Sequence, residues 1–148
     1  MTAAPYVAVV GPGEAGAEAL EAAHAVGEQL ARRGAVVVTG GLGGVMEAAC
    51  RGAASAGATT LGILPGSDRA AANRFVTVAV ATGMGELRNG LVVRCADAVI
   101  AVGGAYGTLS EIALALKLGR RVVGLGTWDI DGVRRAADPV AAVEQALR

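Results

Sequence analysis

The stretch of this sequence best suited to chemistry contains Gly103, Gly104, Gly107 and Thr108. It stands between an apolar run of strand length, Ala98–Val102, and apolar residues at helical spacing over 109–116. A glycine turn between a strand and a helix directs unpaired backbone N–H groups and the positive end of the helix dipole toward one point. The corner is therefore predicted to bind an anion, and phosphate is the first candidate.

Two further strand-to-helix corners are rich in glycine. After the apolar run Tyr6–Val10, Gly11, Gly13 and Gly16 have the spacing of a dinucleotide fingerprint. That fingerprint also requires an acid at the end of the second strand, where this chain has Thr39 and glycines, so NAD binding is not favoured. The second corner has four glycines in five positions: Gly40, Gly41, Gly43 and Gly44. A tight turn explains either corner alone, but both leave room for a ligand against the backbone.

These corners are positioned by strands and helices that alternate along the chain. Apolar runs predict strands at 6–10, 35–38, 60–64, 75–80, 98–102 and 121–125. Helical periodicity predicts helices at about 16–33, 45–56, 86–96, 109–118 and 139–147. The alternation predicts an α/β fold, a Rossmann-like doubly wound three-layer sandwich with a mainly parallel sheet of six or seven strands. We expect one domain over residues 1–148.

The expected sheet topology brings the corners together. With the strand order 3-2-1-4-5-6, the loops after the first and fourth strands flank the point where the order reverses. Ligands of such folds bind outside the carboxyl ends of the strands. The glycine corners, the segment from Gly83 to Arg88, and Glu111 all fall at that edge, whereas Asp97 precedes the fifth strand. This convergence favours one shared ligand site.

Composition narrows the function classes. Hydrophobic residues make up 53% and charged residues 18% of the 148 residues, which excludes a disordered chain. The net charge is zero and aromatics make up 3%, so nucleic acid is not an expected partner. The single histidine, His24, excludes a Ser-His-Asp triad and a His-rich metal site, and no metal is expected.

Cysteine usage and hydropathy indicate a cytoplasmic protein. Cys50 and Cys95 lie far apart without CxxC spacing, as is typical of thiols in a reducing cytosol. No charged-then-apolar leader opens the chain, and no apolar run approaches the ~18 residues of a membrane span. We therefore expect no membrane partner.

The residues at the predicted edge resemble a known family. Arg88-Asn89, followed by Gly103-Gly104-Ala105-Tyr106-Gly107-Thr108-Leu109-Ser110-Glu111, is similar to the pattern of the lonely-guy family, also called the possible lysine decarboxylase superfamily. That pattern runs from a helical Arg to PGGxGTxxE, and residues 39–47 look like the family's GGGxxGLMG corner. The resemblance is sharpest for a short single-domain branch that includes molybdenum-cofactor carrier proteins.

The resemblance has two functional implications. The lonely-guy family implies a phosphoribohydrolase that releases the base from a nucleoside 5′-monophosphate without a cofactor, with Arg88 and Glu111 as the catalytic pair. A carboxylate there stabilises positive charge on the ribose or orients the attacking water, and the guanidinium clamps phosphate or base. The carrier branch instead implies binding of the molybdenum cofactor, a phosphorylated pterin, without turnover. Asn89 stands where the lonely-guy pattern has Lys, which removes a charge beside the phosphate.

The candidate ligand-binding set combines the corners with this pattern. It comprises Gly11, Gly13, Gly40, Gly41, Gly43, Gly44, Arg88, Asn89, Gly103, Gly104, Tyr106, Gly107 and Thr108. In either interpretation the partner is a small phosphorylated ligand. The phosphate is expected on the N–H groups from Gly104 to Thr108, with the Thr108 hydroxyl as a further donor.

Two features keep alternatives open. Thr108 to Glu111 has the T-x-x-E pattern of a capping box, in which Glu111 hydrogen-bonds the backbone at the helix start, so Glu111 is either a cap, a catalyst or both. The predicted helix at 109–118 is apolar on nearly all sides, and the helix at 86–96 has Leu91, Val92, Val93 and Cys95 in succession, which indicates burial on both sides. We therefore expect a homodimer or higher homo-oligomer that packs these helices, with the ligand sites near the interface.

Overall fold

The computed structural model describes residues 3–148. The strands are β1 (Tyr6–Val10), β2 (Val36–Thr39), β3 (Thr60–Leu64), β4 (Val78–Ala81), β5 (Ala98–Val102), β6 (Arg121–Leu125) and β7 (Val133–Arg135). The helices are α1 (Ala17–Arg32), α2 (Val45–Ser55), α3 (Arg88–Arg94), α4 (Tyr106–Lys117) and α5 (Pro139–Ala146), with short 3-10 turns at Arg69–Ala71 and Gly85–Leu87. In the described part of the chain no helix is long and apolar enough to cross a bilayer.

All seven strands pair in parallel in one sheet, in the order β4-β3-β2-β1-β5-β6-β7. Because successive side chains of a strand point to opposite faces, the strands supply two separate cores. Val7 and Val9 pack with α1, α2 and α5, whereas Ala8 and Val10 pack with α3 and α4. The predicted doubly wound three-layer sandwich is confirmed.

The expected strand order is wrong at one place. The fourth strand does not lie beside β1; β4 pairs with β3 at the edge of the sheet, and β1 pairs with β5. The physical reason is burial, since a central parallel strand must be apolar on both faces. β5 is buried along its whole length, whereas Val78 and Val80 of β4 are 48% and 42% exposed.

This order changes which loops flank the switch point. They are the loops after β1 and β5, because the chain adds β2, β3 and β4 on one side of this pair and β6 and β7 on the other. The connection from β4 to β5 must cross β3, β2 and β1, and α3 lies on this path, where it packs on β3 and α4. The crossing carries Arg88, the first residue of α3, from the sheet edge toward the centre.

On the opposite face, α1 and α2 touch through their backbones at two glycines. A Cβ on Gly27 would lie 2.0 Å from the Ala49 carbonyl oxygen, and one on Gly52 would lie 2.0 Å from that of His24. No real Cβ approaches an oxygen so closely, so only glycine allows this packing. The contact fixes α2, and with it the glycine corner that precedes it.

Candidate functional site

A cavity of about 160 Å³ lies at the carboxyl ends of β1 and β2 beside the start of α4. Its lining comes from the end of β1, the corner after β2, the starts of α2 and α3, and the first turns of α4. The lining residues are Val9, Val10, Gly11, Pro12, Gly13, Gly40, Met46, Arg88, Asn89, Gly107, Thr108 and Glu111. The structure therefore brings Arg88 and Glu111 to one cavity from two different helices.

The start of α4 lies in the wall of this cavity. Its N-cap residue is Ala105, and no side chain caps the helix. Within residues 3–148, no acceptor receives the backbone N–H groups of Tyr106, Gly107 or Thr108. Because such free N–H groups and the helix dipole attract negative charge, this end of α4 has the backbone features of an anion site.

The helix start also removes one alternative for Glu111. A capping box requires Thr108 at the N-cap position, but α4 begins at Tyr106, and Thr108 is already inside its first turn. The Thr108 hydroxyl accepts no backbone N–H, and the Glu111 carboxylate makes no hydrogen bond within the described residues. The capping-box interpretation is wrong, so helix capping does not explain Glu111.

Two buried donors in the cavity wall lack partners. Arg88 Nε and the Thr108 hydroxyl oxygen are inaccessible to solvent, and neither makes a hydrogen bond within residues 3–148. An unpaired buried polar group costs about 1–3 kcal/mol, so native structures rarely keep one without a reason. Both residues line the same cavity at the start of α4. Each of these donors lacks an acceptor of the kind that an oxyanion oxygen supplies.

Neighbouring groups hold the Arg88 guanidinium in place. Nη1 donates to the Asn89 side-chain oxygen, and Nη2 lies 3.5 Å from the Gly40 carbonyl oxygen. A Cβ on Gly40 would lie 2.7 Å from Nη2, so the guanidinium occupies the space that the glycine leaves. Burial lowers the pKa of Arg88, and the nearby Glu111 carboxylate partly opposes this effect. The guanidinium stays charged, because its ordinary pKa is far above neutral pH.

Glu111 is 8% exposed on the same cavity. Burial raises its pKa to about 7, although the positive charge of Arg88 acts in the opposite direction. Arg88 and Glu111 do not form an ion pair; the ion pairs within residues 3–148 join Arg32 to Glu28 and Arg135 to Asp129. Near neutral pH the Glu111 carboxyl group is therefore present in both protonation states, and it can donate or accept a hydrogen bond.

The predicted binding residues fall into two groups. Gly11, Gly13, Gly40, Arg88, Asn89, Gly107 and Thr108 line the cavity, whereas Gly41, Gly43, Gly44, Gly103, Gly104 and Tyr106 do not. Some of the second group shape the corners, since Gly44 has φ +63° and its Cβ would lie 2.4 Å from the Pro12 carbonyl oxygen. That close approach brings the first two glycine corners together. Whether the lining residues bind a ligand stays a prediction.

Sequence reasoning missed several residues of the site. Val9, Val10, Pro12 and Met46 also line the cavity, and no residue type or spacing distinguishes them. Asn73 supports the corner after β2, because its side chain donates to the Leu42 carbonyl oxygen at 2.9 Å and its N–H to that of Gly41 at 2.8 Å. Asparagine in a polar loop indicates a turn, but its partners in a distant loop are not visible in the sequence.

A larger cavity of about 600 Å³ lies elsewhere, between α1, α2 and the segment that precedes β4. Glu21, Glu47, Arg51 and Arg74 line it, which gives it both signs of charge. None of the buried unpaired polar atoms of residues 3–148 belongs to its lining. We therefore assign the candidate site to the smaller cavity, where unpaired donors, free backbone N–H groups and perturbed pKa values occur together.

The size of the smaller cavity limits what it can enclose. Pockets that bury a whole cofactor-sized ligand have volumes of roughly 300–1,000 Å³, and this one has about 160 Å³. It has room for the phosphate end of a larger ligand. The remainder of such a ligand would lie outside the cavity, over its rim.

Comparisons with known proteins show the family and the fold of the chain. The sequence profile of the SLOG cluster4 family matches residues 4–146. An uncharacterized protein of Archaeoglobus fulgidus is 44% identical over 142 residues, 95% of this chain and 93% of that protein.

Two solved structures are also similar. The molybdenum cofactor binding protein of the phototrophic bacterium Rippkaea orientalis has a TM-score of 0.92 at 38% identity, over 97% of this chain and 96% of that chain. The Moco carrier protein of Chlamydomonas reinhardtii has a TM-score of 0.87 at 38% identity, over 98% of each chain. These matches confirm the resemblance to the branch that includes molybdenum-cofactor carriers.

Proposed function

This chain belongs to the SLOG cluster4 family, and we propose that it binds the molybdenum cofactor, a phosphorylated pterin, and carries it without turnover. The pair of unpaired buried donors, Arg88 Nε and the Thr108 hydroxyl, carries the proposal. Both require an acceptor, and a phosphate supplies several acceptor oxygens with a charge that the guanidinium offsets. The similar proteins described as molybdenum cofactor binding and carrier proteins support the identity of the ligand.

In the proposed complex the phosphate lies at the start of α4. Its oxygens accept hydrogen bonds from Arg88 Nε, from the Thr108 hydroxyl and from the free N–H groups of the first turn of α4. Charge-assisted hydrogen bonds are about twice as strong as neutral ones, so this end of the ligand supplies much of the affinity. The pterin end lies outside the cavity, because the enclosed volume of about 160 Å³ holds little more than the phosphate.

Hydrolysis of a nucleoside 5′-monophosphate is a second candidate function of the same cavity. One observation favours it: Glu111 is buried beside the proposed phosphate position, and burial raises its pKa to about 7. Catalytic carboxylates have such perturbed pKa values. The similar solved proteins favour carriage over hydrolysis, so we rank hydrolysis second.

The binding test compares isosteric changes at Thr108. Protein is mixed under anaerobic conditions with molybdopterin released from a molybdoenzyme, and the retained pterin is measured by fluorescence after gel filtration. Thr108→Val removes the hydroxyl at nearly constant volume and should weaken retention about tenfold, which corresponds to about 1.4 kcal/mol. The matched control Thr108→Ser keeps the hydroxyl and should retain the ligand. Equal retention by wild type, Thr108→Val and Arg88→Gln would contradict the proposed phosphate site.

A parallel assay tests turnover. Wild type and Glu111→Gln are incubated with AMP and other nucleoside monophosphates, and free base is measured by chromatography. The carrier proposal expects no base release above the protein-free control. Base release by wild type that is lost in Glu111→Gln would overturn carriage without turnover and support the hydrolase.

A further inference from the structure

Two of the few aromatic side chains stack beside the anion site. The chain has one Phe, two Tyr and one Trp, and the rings of Tyr106 and Trp128 lie 6.2 Å apart between centroids at an interplanar angle of 24°. Tyr106 is the first residue of α4, next to Gly107 and Thr108 in the cavity wall. Neither ring lines the cavity itself, but Tyr106 directly precedes Gly107 of the cavity wall on α4.

The inner member of the pair is anchored to the corner. Trp128 Nε1 donates to the Ala105 carbonyl oxygen at 3.1 Å, and Ala105 is the N-cap residue of α4. The indole also covers Gly104, where a Cβ would lie 3.1 Å from Nε1. Trp128 thus connects the loop after β6 to the start of α4, and it supports Tyr106 from one side.

The outer member is open to solvent. Tyr106 is 84% exposed, although it is a large ring in contact with a second ring. A free aromatic face provides stacking area for a planar heterocycle, an interaction that helps many proteins to bind bases. The cavity has room only for the phosphate end of a ligand, so a ring attached to that phosphate has to lie outside it. Tyr106 is an exposed aromatic residue adjacent to Gly107 of the cavity wall.

We propose that Tyr106, supported by Trp128, binds the planar ring of the phosphorylated ligand and selects for ligands that carry such a ring. The inference rests on the proposed function, which supplies the phosphate anchor. In this proposal Arg88 and Thr108 bind the phosphate of any suitable ligand. The Tyr106–Trp128 pair adds affinity only when the ligand also carries a planar heterocycle. Trp128 acts as a positioning residue, because it holds Tyr106 and the start of α4.

The test uses probes with and without a ring. AMP and a phosphorylated pterin carry a planar ring, whereas inorganic phosphate and ribose 5-phosphate do not. Affinities are measured by calorimetry on the full chain, and quenching of Trp128, the only tryptophan, gives a second signal. Wild type should bind the ring-bearing probes more tightly than the ring-free ones.

Two variants of Tyr106 separate stacking from anion binding. Tyr106→Leu keeps an apolar side chain but removes the aromatic ring. Its affinity for ring-bearing probes should fall at least about fivefold, which corresponds to about 1 kcal/mol of stacking. The same variant should bind ring-free probes like wild type, and Tyr106→Phe should bind all probes within about twofold of wild type. The exposure of Tyr106 makes unfolding of these variants unexpected, and their melting temperatures check this.

The outcomes distinguish the two proposals. If wild type binds the ring-free probes but Tyr106→Leu binds the ring-bearing probes as tightly as wild type does, the proposed stacking on Tyr106 is wrong. The proposed phosphate site is then unaffected. If Tyr106→Leu changes the molecular mass in solution without changing ring affinity, a second copy of the chain covers the pair and the inference is overturned. If no probe binds to wild type, the inference and the proposed function both fail.

Discussion

Replacing Glu111 with glutamine should change how the stability of the fold depends on pH. Because Glu111 is buried, the variant should gain stability relative to wild type as the pH rises. The folded chain holds the Glu111 proton more tightly than the unfolded chain, because burial raises the pKa from its usual 4.5 to about 7. The stability contributed by the protonated group is complete below about pH 4.5, falls as the pH rises, and is lost above about pH 7. Glutamine stays neutral throughout this range.

The size of the effect follows from the two pKa values. The interval between 4.5 and about 7 corresponds to about 3 kcal/mol, at about 1.4 kcal/mol for each pH unit. The stability of Glu111→Gln minus that of wild type should therefore rise by about 3 kcal/mol between acidic and mildly alkaline pH. Other titrating groups are common to both proteins, so their contributions cancel in the difference. Urea unfolding at intervals from about pH 4.5 to about pH 8.5 measures it.

Two further variants test whether the burial of Glu111 causes this pH dependence. Glu144 lies exposed on α5, so Glu144→Gln shows how far removal of a solvated carboxylate changes the profile. Arg88→Gln removes the cation that lowers the pKa of Glu111, so in this variant the fall in stability should extend to higher pH. A stability difference between Glu111→Gln and wild type that stays flat, or falls with rising pH, would refute the burial argument.

Two glycine substitutions test packing and the anion site. Gly27→Ala should destabilise the fold by about 1–3 kcal/mol in urea unfolding, because its Cβ would lie 2.0 Å from a carbonyl oxygen of α2. Gly66→Ala, whose Cβ meets nothing within 4 Å, should change stability by less than about 0.5 kcal/mol, and equal effects would contradict the packing argument. Gly40→Ala should weaken phosphate binding about tenfold in calorimetry, since its Cβ would lie 2.7 Å from Arg88 Nη2. On the same corner the nearest atom to a Cβ on Gly43 is 3.5 Å away, so loss of binding in Gly43→Ala as well would show that the displaced guanidinium is not the cause.

The central strands could be predicted from sequence because burial on both faces requires an unbroken apolar run. The strand predicted at 98–102 is β5, with the same bounds. The position of β4 could not be predicted. Its valines, Val78 and Val80, are typical of a buried strand, but in the structure they lie partly exposed at the edge of the sheet. Its place depends on pairing with β3, where the Thr77 hydroxyl donates to the Thr60 carbonyl oxygen at 2.9 Å. A contact of this kind has no local signature.

The site was predictable where its residues follow the ends of strands. Arg88 and Glu111 meet in one cavity because the chain order and the parallel sheet bring their helices to the same edge. The start of α4 was not predictable from the T-x-x-E pattern, because the helix begins at Tyr106, before the threonine. The hydrogen bond from Trp128 to the start of α4 was not predictable either, since its acceptor Ala105 is distant in the sequence.

Carriage and hydrolysis make different demands on Glu111. To stabilise positive charge on a ribose, the carboxylate must be ionised while a phosphate lies in the same cavity. Burial already raises the pKa of Glu111 to about 7, and a bound phosphate adds negative charge that raises it further. Retention of a phosphate makes a different demand, because a protonated Glu111 would donate a hydrogen bond to a phosphate oxygen and would carry no repulsive charge. The proposed carrier role therefore fits the protonated form of Glu111, whereas charge stabilisation in the hydrolase alternative requires the ionised form.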